Sequence, residues 1–298
     1  MRAAACLGGG IGLFVAGSWM LLNLVADREE RSAPRDPHTN ILIGAEAREL
    51  GPDDARGAVM FVHGFAGSGN NFGEVPDAIA QNGWRVRIMR LPGHGTSPKE
   101  LSEQRLDGLL RAVLREAAAL RARHDRLVLV GHSLGASLCV MAAAEMPLDG
   151  IVLAAPYFGV THRWYYGLRP ETWLRMLQPV LPWCYKGRLF MQVNRADAKP
   201  QILAYTWLPP QSAQILLEAH RRANAPRLLR QVRCPVLMLL GENDAASSGD
   251  AAELALLQME STVKRLIRLP RSNHHIFWDY DRETVKGEIL AFLAGVSE

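Results

Sequence analysis

Cysteine is scarce in this sequence: Cys6, Cys139, Cys184 and Cys234 lie far apart, with no C-x-x-C pair. That spacing excludes a disulfide-stapled scaffold and the usual cysteine zinc sites, and the four read as free thiols. An excess of one charge is also missing, since 34 basic residues face 30 acidic ones for a net of +4. No broad field for wrapping nucleic acid follows from that balance. There is no internal repeat, no collagen-like period and no low-complexity tract. What the chain has in quantity is apolar material, with 48% hydrophobic and 21% charged residues over 298 positions, enough for one sizeable core.

One long hydrophobic run does occur. From Ala3 to Ala26 no residue is charged, and at about 1.5 Å per helical residue the run is long enough for a bilayer core of about 30 Å. Residues 1–26 are therefore expected to form a single-pass N-terminal membrane anchor. The rival is a cleaved signal peptide, which would leave a secreted or periplasmic protein; the run is long for one and lacks a clean A-x-A site near Ala26. Arg2 precedes the run while Arg28, Arg31 and Arg35 follow it, weakly placing the downstream side in the cytoplasm. Residues 27–40, with Pro34 and Pro37 among many charges, read as a linker.

From residue 41 to 298 short apolar runs alternate with helical patterns. Residues 59–62, 86–89, 127–130, 151–153 and 236–240 suit strands buried on both faces, and 263–269 reads as a last strand. Between them, Leu106, Leu109, Leu110, Val113, Ala117 and Leu120 mark one stripe of a helix, and a closing helix is expected near 283–294. Strict alternation predicts a mostly parallel sheet covered by helices. The alternation stops at 157–210, where prolines, tryptophans and tyrosines crowd in, and that stretch reads as an inserted cap.

The strand at 127–130 runs into Gly131-His132-Ser133-Leu134-Gly135 and then into the small residues of 136–144. G-x-S-x-G needs its glycines because the turn from strand to helix is too sharp for side chains beside the serine. Ser133 is thus a candidate nucleophile, and a serine hydroxyl needs a base whose tautomer is fixed by a third group. Downstream, Gly241-Glu242-Asn243-Asp244 follows one strand and Ser272-Asn273-His274-His275 follows the next. Asp244 is the favoured acid over Glu242 and Asp250, while either histidine could be the base. Two backbone N–H groups should meet the developing oxyanion: that of Leu134, directly after the nucleophile, and that of Phe65 in the glycine-rich loop His63-Gly64-Phe65-Ala66-Gly67-Ser68-Gly69. A phosphate-binding loop is excluded there, because no Gly-Lys-Ser/Thr follows.

Taken together, His63-Gly64-Phe65, Arg90 to Ser97 (RLPGHGTS), Gly131 to Gly135, Gly241 to Asp244 and Ser272-Asn273-His274 resemble bacterial monoacylglycerol lipases and carboxylesterases of the α/β-hydrolase superfamily, over about residues 41–294. The resemblance implies the α/β-hydrolase fold, an oxyanion loop at His63-Gly64-Phe65 and His274 as the base. It implies a serine hydrolase cleaving carboxylic esters through an acyl-enzyme, on substrates such as a monoacylglycerol or a lysophospholipid, with no cofactor or metal. An acyltransferase would use the same residues with an alcohol in place of water, and a non-catalytic hydrolase-fold receptor is the distant alternative. Within the cap, Trp164, Trp183 and Trp207 are expected to line the acyl site. Its Arg163, Arg169, Arg175, Lys186, Arg188, Arg195 and Lys199 against only Glu171 and Asp197 suggest a basic face toward a lipid surface. Oligomeric state is not legible.

Overall fold

Seven strands form one sheet in the order β1-β3-β2-β4-β5-β8-β9 in this computed structural model, which describes residues 2–161, 167–168, 172, 176, 181–187 and 191–297, with the side chains of 2–16 and 297 left aside. The strands are β1 (Arg48–Leu50), β2 (Gly57–Val62), β3 (Arg85–Ile88), β4 (Arg126–His132), β5 (Gly150–Ala154), β8 (Val236–Gly241) and β9 (Lys264–Leu269). A short β6 (Cys184–Tyr185) pairs antiparallel with β7 (Trp207–Leu208) outside that sheet. Only β1 runs antiparallel to its neighbour in the main sheet; every other pair is parallel. The predicted parallel sheet and its strand positions therefore agree with the structure to within a few residues.

Why the strands are apolar on both sides is visible in the alternation. Ala58, Met60 and Val62 of β2, with Leu127 and Leu129 of β4, join the core on one face; Val59 and Phe61, with Val128 and Val130, join the core on the other. The first face is covered by α4 (Leu106–Arg121) and α5 (Leu134–Glu145), together with a helix at Gln214–Ala223; the second by α2 (Val75–Gln81) and the C-terminal helix Arg282–Ser297, whose Val285, Ile289, Phe292 and Leu293 are buried. Parallel strands sandwiched this way cannot show a polar face, which is why their sequences read as continuous runs.

The N-terminal helix α1 (Arg2–Ser32) runs on past Ala26, so residues 27–32 are helical rather than linker. The reason is tertiary. Ala26 is buried, Asp27 pairs with Lys99 at 2.9 Å, the Glu29 carboxylate accepts from the Trp207 indole at 2.8 Å, and Asn23 accepts from the Trp183 indole at 2.9 Å. Farther up, Trp19, Met20, Leu21, Leu24 and Val25 are exposed. Among the described residues no helix is long and apolar enough to cross a membrane; side chains 3–16, on which the expected span chiefly rests, lie outside the described ones.

The turn from β4 into α5 leaves no room for side chains at its two glycines. A Cβ on Gly135 would stand 1.8 Å from the Val62 carbonyl oxygen, and one on Gly131 would stand 2.5 Å from the Ala136 backbone. Both collisions are with backbone, which cannot swing aside. Gly135→Ala is expected to lower stability by at least about 1–3 kcal/mol. Gly108→Ala, within α4 and with nothing near its Cβ site, should instead stabilise by roughly 0.5–1 kcal/mol. Paired urea denaturation of the two variants checks both signs.

Candidate active site

Ser133 sits at the junction of β4 and α5 with φ +55° and ψ −119°, a strained conformation for a residue with a side chain. Its N–H donates to the Ala154 carbonyl at 3.0 Å, and its carbonyl accepts from Ala136, Ser137 and Tyr157. The surrounding strand ends and the first turn of α5 thus hold the elbow on both sides and lift Oγ above the sheet.

The two partners come from the loops after β8 and β9, adjacent parallel strands whose C-terminal ends lie side by side. Ser133 Oγ donates to His274 Nε2 at 2.9 Å, and His274 Nδ1–H donates to the Asp244 carboxylate at 2.8 Å. The other Asp244 oxygen accepts from the Ala246 and Ser247 N–H groups, each at 2.8 Å. With both oxygens engaged, the carboxylate is fixed in the plane that the imidazole needs. Glu242 and Asp250 are exposed and take no part. His275, by contrast, packs beside the His132 ring, and its N–H donates to the Gln192 carbonyl at 3.0 Å.

Leu134 opens α5, so its N–H has no carbonyl to meet within the helix. The loop 63–71 comes close on the other side: a Cβ on Gly64 would lie 3.0 Å from Ser133 Cβ. The structure therefore brings Ser133, Asp244, His274, Leu134 and Phe65 into one place, around a cavity of about 300 Å³ whose wall includes Phe65, Ser133 and His274.

The three tryptophans are another matter. Trp183 and Trp207 are absent from the cavity wall; they face α1 through Asn23 and Glu29, because an indole N–H buried beside a helix needs an acceptor and α1 supplies it. That corrects their expected place in the acyl site. Trp164 lies outside the described residues. Residues 157–210 contribute Tyr157, Lys186, Met191 and Tyr205 to the wall instead. A separate, smaller cavity of about 150 Å³ lies between α1 and residues 203–207, away from Ser133.

Several supporting residues had no clear signal in the sequence. Asp279, fully buried, accepts four backbone N–H bonds: from Asn194 and Asn273 on one oxygen, each at 2.8 Å, and from Arg195 and Tyr280 on the other. It pins the His274 loop to the returning end of the cap. Asn273 accepts from both His274 and Ala245 N–H, joining the two loops that carry His274 and Asp244. His63 Nδ1–H donates to the Gly64 carbonyl while Nε2 accepts from Leu91, tying the 63–71 loop to the 90–97 loop. Adjacency was the available clue for Asn273 and His63. For Asp279 there was none.

Four buried histidines are held neutral: His132 and His275 on the cavity wall, and His63 and His94, which pack on each other. Burial pushes His132 down to about 3 and His94 to about 4, and it holds His63 and His275 well below the usual imidazole value. His132 donates Nε2–H to the His274 carbonyl at 3.0 Å, which suits its neutral form.

A strand–elbow–helix serine, a histidine and an acid on successive strand ends, and a parallel sheet in this order define an α/β-hydrolase-fold serine hydrolase. The chain belongs to the Hydrolase_4 family, described as serine aminopeptidase S33, whose model matches residues 53–281. It is 26% identical over 264 residues to a thermostable monoacylglycerol lipase of Bacillus sp. strain H-257, covering 85% of this chain and 96% of that protein. It is also 26% identical to a pimeloyl-[acyl-carrier protein] methyl ester esterase of Nitrosomonas europaea, covering 82% and 96%. Of solved structures, one reported for the metagenome-derived lipolytic enzymes LipS and LipT superposes with a TM-score of 0.75 at 26% identity, covering 86% of this chain and 99% of that one. The protein is a carboxylic ester hydrolase.

The buried histidines generate a pH expectation. In the unfolded chain they take up protons near the ordinary value of 6.5, whereas folded His94 and His132 resist until about 4 and about 3. Between these limits the unfolded state binds more protons, so their stabilising contribution is complete above about pH 6.5 and is lost as pH falls. Thermal melts should show a level Tm from pH 8 to 6.5 and a decline already between 6.5 and 5, above the usual titration of carboxylates near 4. A Tm unchanged down to pH 5 would contradict it.

Proposed function

We propose that the protein hydrolyses acyl esters of lipid type, monoacylglycerols or lysophospholipids, through a Ser133–His274–Asp244 triad. The observation that carries this reading is the unbroken pair of hydrogen bonds from Ser133 Oγ to His274 at 2.9 Å and from His274 to Asp244 at 2.8 Å, opening on a cavity. Ser133 Oγ attacks the ester carbonyl while its proton passes to His274 Nε2; Asp244 stabilises the imidazolium and keeps its orientation. The tetrahedral oxyanion is met by the N–H groups of Leu134 and Phe65. His274 then gives its proton to the departing alkoxide, leaving an acyl-serine that water releases by the same steps in reverse. Release to water rather than to an acceptor alcohol is favoured by relatives named lipase and esterase.

Residues 157–210 act in this proposal as a cap over Ser133: Met191 and Tyr205 offer apolar wall to an acyl chain. Residues 1–26 act as a single-pass membrane anchor, supported by the uncharged sequence from Ala3 to Ala26 and by exposed Trp19, Met20, Leu21, Leu24 and Val25.

Ser133→Ala is expected to abolish turnover of octanoyl esters by several orders of magnitude with Tm little changed, and to abolish labelling by a fluorophosphonate. His274→Ala should be equally severe and His275→Ala much milder. Retention of half the wild-type rate by Ser133→Ala would end the proposal. For the anchor, the full chain should sediment with membranes through a carbonate wash, while a chain beginning at Asn23, which keeps the docked turns of α1, should not. Release of the full chain by carbonate would refute the anchor alone.

A further inference from the structure

Lys186 is the one lysine or arginine in the wall of the Ser133 cavity among the described residues. It follows β6 directly, its N–H is bonded to the Thr206 carbonyl, and its ammonium lies 5.8 Å from the centre of the Phe65 ring. Lys99 and Lys286 each have a carboxylate partner; Lys186 has none among the described residues. The acid of the site, Asp244, has both oxygens committed, to His274 and to the N–H groups of Ala246 and Ser247. Burial holds His132 and His275 on the same wall in their neutral forms. The cavity therefore presents a positive charge that no carboxylate of the described residues pairs with.

A purely apolar acyl slot would not be built this way. Two further polar atoms on the same wall that can donate, Ser247 Oγ and His275 Nδ1, are buried without a partner among the described residues. Leaving such atoms unmet is costly, so a wall that carries them is fitted for a ligand that meets them. Ser247 Oγ–H can donate, as can the His275 ring in its Nδ1–H tautomer. Although Lys186 is exposed overall, desolvation at its head holds its pKa below the ordinary lysine value. A charge in such a place gains more from an anion than it would in bulk water.

We propose that Lys186, with Ser247 and His275 on the same wall, forms a subsite for an anionic group, carboxylate or phosphate, carried by the ester substrate. The proposal rests on the hydrolase reading above and adds to it the charge of the substrate. It makes Lys186 a specificity-determining residue: the ammonium pairs with the anion while the scissile carbonyl lies at Ser133.

The test compares kcat/KM within two pairs matched in chain length. One pair carries the charge on the acyl side, monomethyl suberate against methyl octanoate; the other carries it on the alcohol side, octanoylglycerol phosphate against octanoylglycerol. In one of the pairs the wild type should favour the anionic ester by about tenfold or more, the scale of one charge-assisted hydrogen bond. The pair that shows the preference identifies the source of the anion. Lys186→Arg should retain it, Lys186→Met should bring the ratio near unity, and Lys186→Glu should invert it. No preference in either pair, or a preference that survives Lys186→Met, overturns the subsite. Fluorophosphonate labelling and turnover of the neutral esters separate the two readings: an enzyme that labels and turns over neutral esters but ignores charge loses the subsite alone, whereas one that does not label loses the hydrolase reading with it.

Discussion

The backbone at Ser133 is the constraint on which the rest of this site depends. A residue with φ +55° between a strand and a helix survives only when both elements are locked, and here the lock is the absence of side chains at Gly131 and Gly135. Without a Cβ at 135, α5 can approach the Val62 carbonyl and lie flat on the sheet. That approach places Leu134 N–H beside the nucleophile and turns Oγ away from the core. Because the sheet is parallel, the loops after β8 and β9 reach the same edge, and His274 needs no long excursion to meet Oγ. The geometry of the reaction is thus a consequence of close packing beneath it.

Burial sets the electrostatics of the site in the same way. Low dielectric suppresses the charged forms of His63, His94, His132 and His275, and that neutrality lets the rings pack on one another without repulsion, His63 on His94 and His132 on His275. Hydrogen bonds then orient them: His63 to Leu91 and Gly64, His132 to the His274 carbonyl. The cost is a pair of ring nitrogens, at His94 and His132, that find no partner among the described residues. Such sites are retained where shape matters more than stability.

Local signals made much of this legible in the sequence. The buried strands were readable because both of their faces are covered, so no polar alternation interrupts them. Ser133, Asp244 and His274 could be brought together from the sequence because each lies in the turn or loop that leaves the C-terminal end of a parallel strand. The two tryptophans were misplaced for a different reason: aromatic side chains signal burial but not the surface they are buried against, and the partner of Trp183 and Trp207 lies some 160–180 residues away in α1. Asp279 was invisible because its function is to collect N–H groups from two distant loops, and no spacing encodes such a role. The end of α1 was placed too early because charge was read as linker, whereas Asp27 and Glu29 are charges with partners on the body of the protein.

That docking ties the two ends of the molecule's function together. Glu29 holds Trp207; Trp207 packs on Tyr185, ring centres 4.9 Å apart; Tyr185 pairs with Trp207 across the β6–β7 ribbon, and the next residue is Lys186 on the wall of the cavity. The same return segment anchors the 63–71 loop, since Tyr205 N–H donates to Ala66 and the Ser68 hydroxyl donates to the Leu203 carbonyl. It also anchors the 90–97 loop, through the Tyr205 hydroxyl to Gly93 and Thr96. One short stretch, 203–208, therefore carries contacts from α1 to the oxyanion loop. A displacement of α1 that broke the Glu29 contacts would release the ribbon bearing Lys186 before it disturbed Ser133, whose elbow is held by the sheet. In the proposed reading, substrate selection and bond cleavage are supported by different parts of the fold, the first by packing that includes the N-terminal helix and the second by the core alone.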